Sequence, residues 1–313
     1  MRIDLHTHSD RSDGTESPGD VVRRAHHHRI DVLGLTDHDT TEGWAEAAVL
    51  AGELGIALVP GIEISCTFVG YGVHLLGYLP DPTHEPLATE LQRVLDGRNS
   101  RLPATLERLQ ALGIDIDVHD VRRVSGGTAA TGRPHVADAL IALGVVADRN
   151  EAFNRYLGPQ GPAYVSRYAA DLETMIETVR AAGGVTVLAH PWASRHDHSA
   201  LDEAGLARLK EAGLSGVEVD HEDHDPSVRA ELRAVAGRLD LLTTGASDHH
   251  GTGKVGHELG CNTTDPEQYD RLLDLARQSS AASGRRTPEV LPGGARSPAR
   301  ACRTGWLPRH RRG

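Results

Sequence analysis

Seven short apolar runs, each ending in or carrying a histidine or an acid, constrain this chain more than any other feature. The runs at 3–5, 32–35, 57–59, 73–76, 185–188, 217–219 and 241–244 are rich in Val, Ile and Leu, and their length and composition suit buried strands. Between most of them lie amphipathic stretches that open on Ser17-Pro18, Thr41-Glu42, Asp171, Asp225-Pro226 or Asp265-Pro266. A capping oxygen followed by proline or an acidic first turn starts a helix. The alternation predicts an α/β protein with a parallel sheet. In such folds the carboxyl ends of the strands share one face, where sites are built. The residues at those ends include His6, His8, Asp37, His38, Asp39, Glu63, His190, Glu218, Asp220, Asp248, His249 and His250, with His74 inside its run. Positions some 240 residues apart can therefore meet in one pocket.

The interval 81–167 breaks the pattern, with helical segments at 87–96, 102–112, 136–143 and 151–156 and no clear core strand. It is expected to be a helical insertion that caps the pocket, dividing a barrel made of residues 1–80 and 168–278. Its Gly126-Gly127, 131–135 and 158–162 loops could reach back over the site. Beyond Gln278 the chain turns to Ser, Gly, Pro and Arg, a composition that predicts a disordered basic tail over 279–313.

Charge and composition narrow the partners. The chain carries −11 overall, yet residues 279–313 hold eight arginines and one glutamate, which leaves −18 on residues 1–278. So acidic a body repels long duplex nucleic acid unless bound cations reverse the local field. Only 11 of 313 residues are aromatic, too few for an aromatic-lined single-strand channel. Three scattered cysteines indicate neither a disulfide framework nor a cysteine-type zinc site. No apolar segment of signal-peptide or membrane-spanning character is present. The expectation is a cytoplasmic protein without a membrane partner.

Imidazoles and carboxylates together suit divalent ions such as zinc, manganese and iron, each needing about three or more protein ligands. His6, His8, Asp13, His38, Glu63, His74, His190, Asp248 and His250 are the candidates. The motifs that carry them, HTHSDRSDG, TDHD, GIE, HLLGY, AHP and SDHHG in that order, resemble those of the polymerase and histidinol phosphatase (PHP) family of metal-dependent phosphoesterases. The resemblance implies a distorted (β/α)7 barrel, in agreement with the seven runs. It also implies three ions: one on His6, His8, Glu63 and Asp248, a second on Asp13, His38 and His250, and a third on Glu63, His74 and His190. Asp13 stands where many members have histidine, and its harder oxygen favours manganese or iron over zinc. The implied cofactor is two to three divalent ions, Mn2+ first, with Fe2+ or Zn2+ as alternatives.

Within that family the insertion and its GRPHVA segment are similar to the subgroup that dephosphorylates nucleoside 3',5'-bisphosphates and trims short RNA from the 5' end. Arg133 would clamp a phosphate through its guanidinium fork, and His135 would be a second phosphate contact or proton donor. Hydrolysis would use a water activated by the ions, with no covalent nucleophile. Two rivals stand beside this reading: a phosphatase of another small phosphomonoester such as histidinol phosphate, and an inactive barrel that binds metal or RNA. The other polar residues are read plainly. His26, His27 and His28 form a solvated helix end; His196 and His198 lie in an exposed loop; His221, His224 and His249 lie outside the ligand set. Asp37 and Asp39 are caps or partners that orient imidazoles, and Lys254 is a surface lysine near the pocket mouth.

Overall fold

The computed structural model describes residues 1–128, 130–193 and 199–290. Its core is an α/β barrel. The strands β1 (Ile3–Asp4), β2 (Val32–Leu35), β3 (Ala57–Phe68), β4 (Tyr71–Tyr78), β6 (Val185–Ala189), β7 (Gly216–Asp220) and β8 (Leu242–Gly245) follow one another around it. A two-residue strand, β5 (Ala170–Asp171), pairs with the outer end of β3. The ring is nearly closed where Thr7 bridges His249 in parallel and the His8 N–H donates to the His249 carbonyl at 2.8 Å.

The expected all-parallel sheet is corrected at β4, which runs antiparallel to both β3 and β6. Its cause is a two-residue hairpin, Val69 (φ 48°) and Gly70 (φ 84°). Two consecutive positive φ values give the turn whose twist matches that of the flanking strands. Val69 is not a residue that announces such a turn, so the hairpin was hidden. The hairpin also brings the start of β4 to the mouth, where His74 pairs with Ser65 of β3 and Ala189 of β6.

Helices α1 (Pro18–His27), α2 (Trp44–Leu54), α7 (Leu172–Ala181), α8 (Glu203–Ala212), α9 (Pro226–Arg238) and α10 (Pro266–Ser283) surround the barrel. Ser17, Asp171, Asp225 and Asp265 cap their helices as the sequence predicts; α2 instead starts at Trp44, behind Gly43. Ile3, Leu5, Val59, Leu76, Tyr78, Val187 and Leu242 pack with Tyr269 and Leu272 of α10. At about 1.5–3 kcal/mol per buried large apolar side chain, this core leaves the polar mouth to be organised by its own contacts.

Between β4 and β5 lie α3 (Glu85–Ala111), α4 (Val118–Ser125), α5 (Arg133–Ala142) and α6 (Arg149–Ala152), the last continued by a π-turn at Phe153–Leu157. The two helices expected at 87–96 and 102–112 are one. Leu87, Leu91 and Val94 anchor its first half in the barrel core, while Leu106 and Leu109 join a separate core with Val121, Val136 and Leu140. Packing at both ends carries the helix across the expected gap and past Pro103, which a helix interior tolerates poorly. Helix α10 runs five residues past 278 and is capped by Gly284, so the expected tail begins inside an ordered element. The remainder, 291–313, lies outside the described residues. No helix among the described residues is long and apolar enough to cross a membrane.

Candidate metal centre

The nine ligand candidates converge at the mouth of the barrel. Glu63, on β3, is at their centre and is almost fully buried. Its Oε2 lies 3.2 Å from His6 Nε2, 3.0 Å from His8 Nε2 and 3.2 Å from His38 Nδ1. Its Oε1 lies 2.8 Å from His74 Nδ1 and 3.1 Å from His190 Nε2. Asp248 Oδ1 sits 3.4 Å from His6 Nε2 and 3.3 Å from His8 Nε2. Asp13 Oδ1 is 3.2 Å from His250 Nε2, and its Oδ2 is 3.7 Å from His38 Nε2.

Donor atoms cluster tightly enough to hold an ion in three overlapping groups: His6, His8, Glu63 and Asp248; His8, Asp13, His38 and His250; and His38, Glu63 and His74. The first is the set implied for one ion. The second contains the implied Asp13, His38 and His250, with His8 added. In the third His38 takes the place expected for His190, although His190 shares Glu63 Oε1 with His74.

The chemistry of these donors fits divalent ions. Glu218 Oε1 accepts from His6 Nδ1 at 3.1 Å, which turns the Nε2 of His6 toward the other donors. Ser12 Oγ donates to Asp37, so it accepts from His8 Nδ1, at 3.4 Å, and His8 Nε2 is turned toward the same point. These two nitrogens face each other at 3.0 Å, beside two carboxylates. Nitrogens and carboxylates packed this closely need protons or a metal ion among them. Asp13 Oδ1, Asp248 Oδ1 and His38 Nδ1 are buried without a hydrogen-bond partner, a costly state that coordination would relieve.

Protonation points the same way. Burial alone would raise the Glu63 carboxyl, but the surrounding imidazoles hold it well below the ordinary carboxylate range. Burial likewise opposes charge on His8, yet Asp248 and Glu63 lift it to about 9. A site that draws protons so strongly is one that favours cations.

The structure also supplies residues that sequence reasoning missed. Glu218, wholly buried on β7, accepts from His6 Nδ1 and, through Oε2, from the His190 backbone N–H at 3.0 Å. Its only signal was a carboxylate inside an otherwise apolar strand. Asp37 accepts from Ser9 N, Ser9 Oγ and Ser12 Oγ, and Asp39 accepts from Ser65 and from Arg98 Nε at 2.6 Å; neither touches an imidazole directly. His249 is a brace, bonded to Glu16 and the His257 carbonyl. His221 is buried and donates to Asp248 Oδ2 at 3.2 Å. Lys254 is not a free surface lysine: it bonds to the same oxygen. His196 and His198 lie outside the described residues.

Beside the imidazoles, the insertion contributes arginines. Arg98, Arg101, Arg133 and Arg167 act on one another electrostatically, and among the described residues only Arg98 has a carboxylate partner, Asp39. Burial, then the charges of Arg133, Arg167 and Arg98, push the Arg101 guanidinium down to about 8. Arg133 opens α5, donates to the Leu157 carbonyl at 3.0 Å and lies over the rings of Phe153 and Tyr164. His135 is buried and accepts from Gly132 N through Nδ1 at 3.0 Å. That leaves its Nε2–H as a donor, and burial holds the ring below the usual imidazole range, so it is neutral.

Residues 4–99 match the PHP domain model. Over 259 residues the chain is 35% identical to a 3',5'-nucleoside bisphosphate phosphatase of Chromobacterium violaceum, an alignment covering 82% of this chain and 90% of that protein. It is 34% identical over 249 residues to a 5'-3' exoribonuclease of Haemophilus influenzae, covering 80% and 90% respectively. The crystal structure of a candidate metal-dependent phosphoesterase from Bifidobacterium adolescentis superposes with a TM-score of 0.83 at 35% identity, over 87% of this chain and 95% of that one. With this fold, this order of motifs and these relatives, the chain belongs to the PHP-domain family.

Proposed function

We propose that the protein is a metal-dependent phosphoesterase acting on nucleoside 3',5'-bisphosphates or on the 5' end of short RNA. The observation that carries the substrate class is the pairing of two unbalanced regions: a carboxylate-imidazole cluster short of cations, and arginines short of anions, with Arg101 buried and without a carboxylate partner. A substrate with two phosphates satisfies both. Histidinol phosphate has one phosphate and an ammonium group that the arginines would repel. An inactive barrel is disfavoured because every implied ligand position carries a histidine or a carboxylate.

His6, His8, Glu63 and Asp248 would hold one ion, Asp13, His38 and His250 a second, and Glu63, His74 and His190 a third, with manganese the best match to the oxygen of Asp13. Divalent ions there would supply Lewis-acid chemistry, polarising both water and a phosphoryl oxygen. Glu218 fixes the His6 ring through Nδ1, and Ser12, held by Asp37, fixes His8. Arg101 and Arg133 bind and orient the second phosphate. His135 offers its Nε2–H as a hydrogen-bond donor rather than an acid. The buried thiol of Cys66 and the free thiol of Cys261 suit the reducing cytoplasm.

The test is inorganic phosphate release from adenosine 3',5'-bisphosphate with Mn2+, beside a chelated control, histidinol phosphate and a 5'-phosphorylated oligoribonucleotide. Metal-dependent release from the bisphosphate, with AMP or 3'-AMP telling which end is attacked, supports the reading. Preference for histidinol phosphate would overturn the substrate class, and no hydrolysis of any substrate by metal-loaded protein would favour the inactive barrel.

A further inference from the structure

Asp248 carries an asymmetry that the ligand sets do not explain. Its two oxygens have opposite surroundings. Oδ1 is buried without a hydrogen bond and faces His6 Nε2 and His8 Nε2. Oδ2 accepts from two donors, the ammonium of Lys254 and His221 Nε2. The Asp223 backbone N–H donates to His221 Nδ1 at 3.1 Å, so the proton of His221 is on Nε2 and points at Asp248. Lys254 is also 3.7 Å from Asp223 Oδ2, with its side chain about one quarter exposed.

The approach of Lys254 is built by the backbone. Its preceding turn, Gly251–Gly253, is pinned by the Thr252 N–H donating to Thr15 Oγ1 at 2.9 Å and the Thr15 N–H donating to the His250 carbonyl at 3.2 Å. Gly251 has φ 63°, and a Cβ there would fall 2.2 Å from Thr15 Oγ1. Only glycine fits that position without moving the turn. A lysine delivered by so constrained a turn is placed, not solvated by chance.

We propose that Lys254 is a positioning residue for the metal centre: with His221 it engages Oδ2 of Asp248 and thereby leaves Oδ1 as the oxygen presented to a divalent ion. The inference rests on the reading of His6, His8, Glu63 and Asp248 as ligands. Hydrogen-bonded partners of a ligand fix its orientation, and losing one costs metal affinity. The sign separates this role from plain charge, because removing a cation beside divalent ions should tighten their binding, whereas removing an orienting partner should weaken it. His221, Asp248 and His257 also cluster closely enough to hold an ion of their own, and Lys254 bonds to the oxygen of Asp248 that His221 uses.

Metal-stripped full-length protein, Lys254→Met, Lys254→Gln and Asp248→Asn are titrated with Mn2+ against a competing chelator, with bound metal counted by mass spectrometry and melting followed by circular dichroism. Wild type is expected to take up ions, and Lys254→Met to bind one of them about tenfold more weakly with the number of ions and the melting of the metal-free protein unchanged. Lys254→Gln, which keeps an N–H donor without the charge, should recover part of the loss; it decides the matter if Lys254→Met does not fold. Asp248→Asn marks the loss expected at that ion. Unchanged or tighter binding in both Lys254 variants would overturn the proposal. So would one additional ion, which would show that Lys254 blocks a fourth site instead. If wild type itself takes up no ion, the metal reading fails first, before any variant is compared, and the proposal falls with it.

Discussion

The barrel mouth and the inner surface of the insertion are built from opposite charges in the same unfinished state. At the mouth, imidazoles and carboxylates crowd together, and three buried polar atoms lack partners. Under the insertion, four arginines share one carboxylate. Each region taken alone is costly, because buried like charges and unmet polar groups destabilise a fold. Together they describe a ligand: cations for one side, anions for the other. The difference teaches that a site can be recognised by the charge it is missing.

The largest effect that would break this comparison is at Glu63, which touches five imidazoles. Glu63→Gln, or thorough chelation of wild type, should lower turnover about a thousandfold or more by removing charge stabilisation at the reacting phosphate; His38→Ala should also lose orders of magnitude while the circular dichroism spectrum is kept. Full activity of His38→Ala with manganese would show that the ligand set is wrongly drawn. Next is the insertion's own core: Leu140→Ala should cost about 2–5 kcal/mol, visible as early melting, with manganese binding at the mouth retained. Joint loss of metal binding would show that the two regions do not hold their shape separately.

Arg101→Met sharpens the contrast. It should raise KM for adenosine 3',5'-bisphosphate about tenfold or more, a loss of at least ~1.4 kcal/mol in phosphate binding, with a smaller change for a simple aryl phosphate. The same variant should melt higher, by about 1–4 kcal/mol, since an apolar chain replaces a poorly compensated buried charge. A lower melting point would mean that Arg101 is structural. The smallest effect serves as the reference: Asp265→Ala removes the oxygen that caps α10, should cost about 1 kcal/mol, and should leave both manganese affinity and KM unchanged.

The two regions also differ in how plainly they were written in the sequence. The nine candidate ligands sit in short motifs, one after nearly every apolar run, and local spacing combined with the rule that strand ends share a face was enough to propose them. Glu218 and Lys254 were noted but given no role, because one reads as a further acid on a strand and the other as an ordinary surface lysine; what they do depends on the folded positions of His6 and Asp248. The arginines were harder still. Arg98 and Arg101 lie in the gap between the helices expected at 87–96 and 102–112, which are one helix, and their shortage of partners is a fact about what does not surround them.

Taken by itself, the sequence determined the α/β class and the seven barrel strands and pointed to the nine candidate ligands, because apolar runs, caps and motif spacing are local and additive. The tertiary structure alone decided the reversal of β4, the continuity of α3, the contacts that Glu218 and Ser12 make with His6 and His8, and the distribution of charge between the mouth and the insertion. Those depend on which groups are buried together and which are left without a partner, and no stretch of sequence contains both members of such a pair.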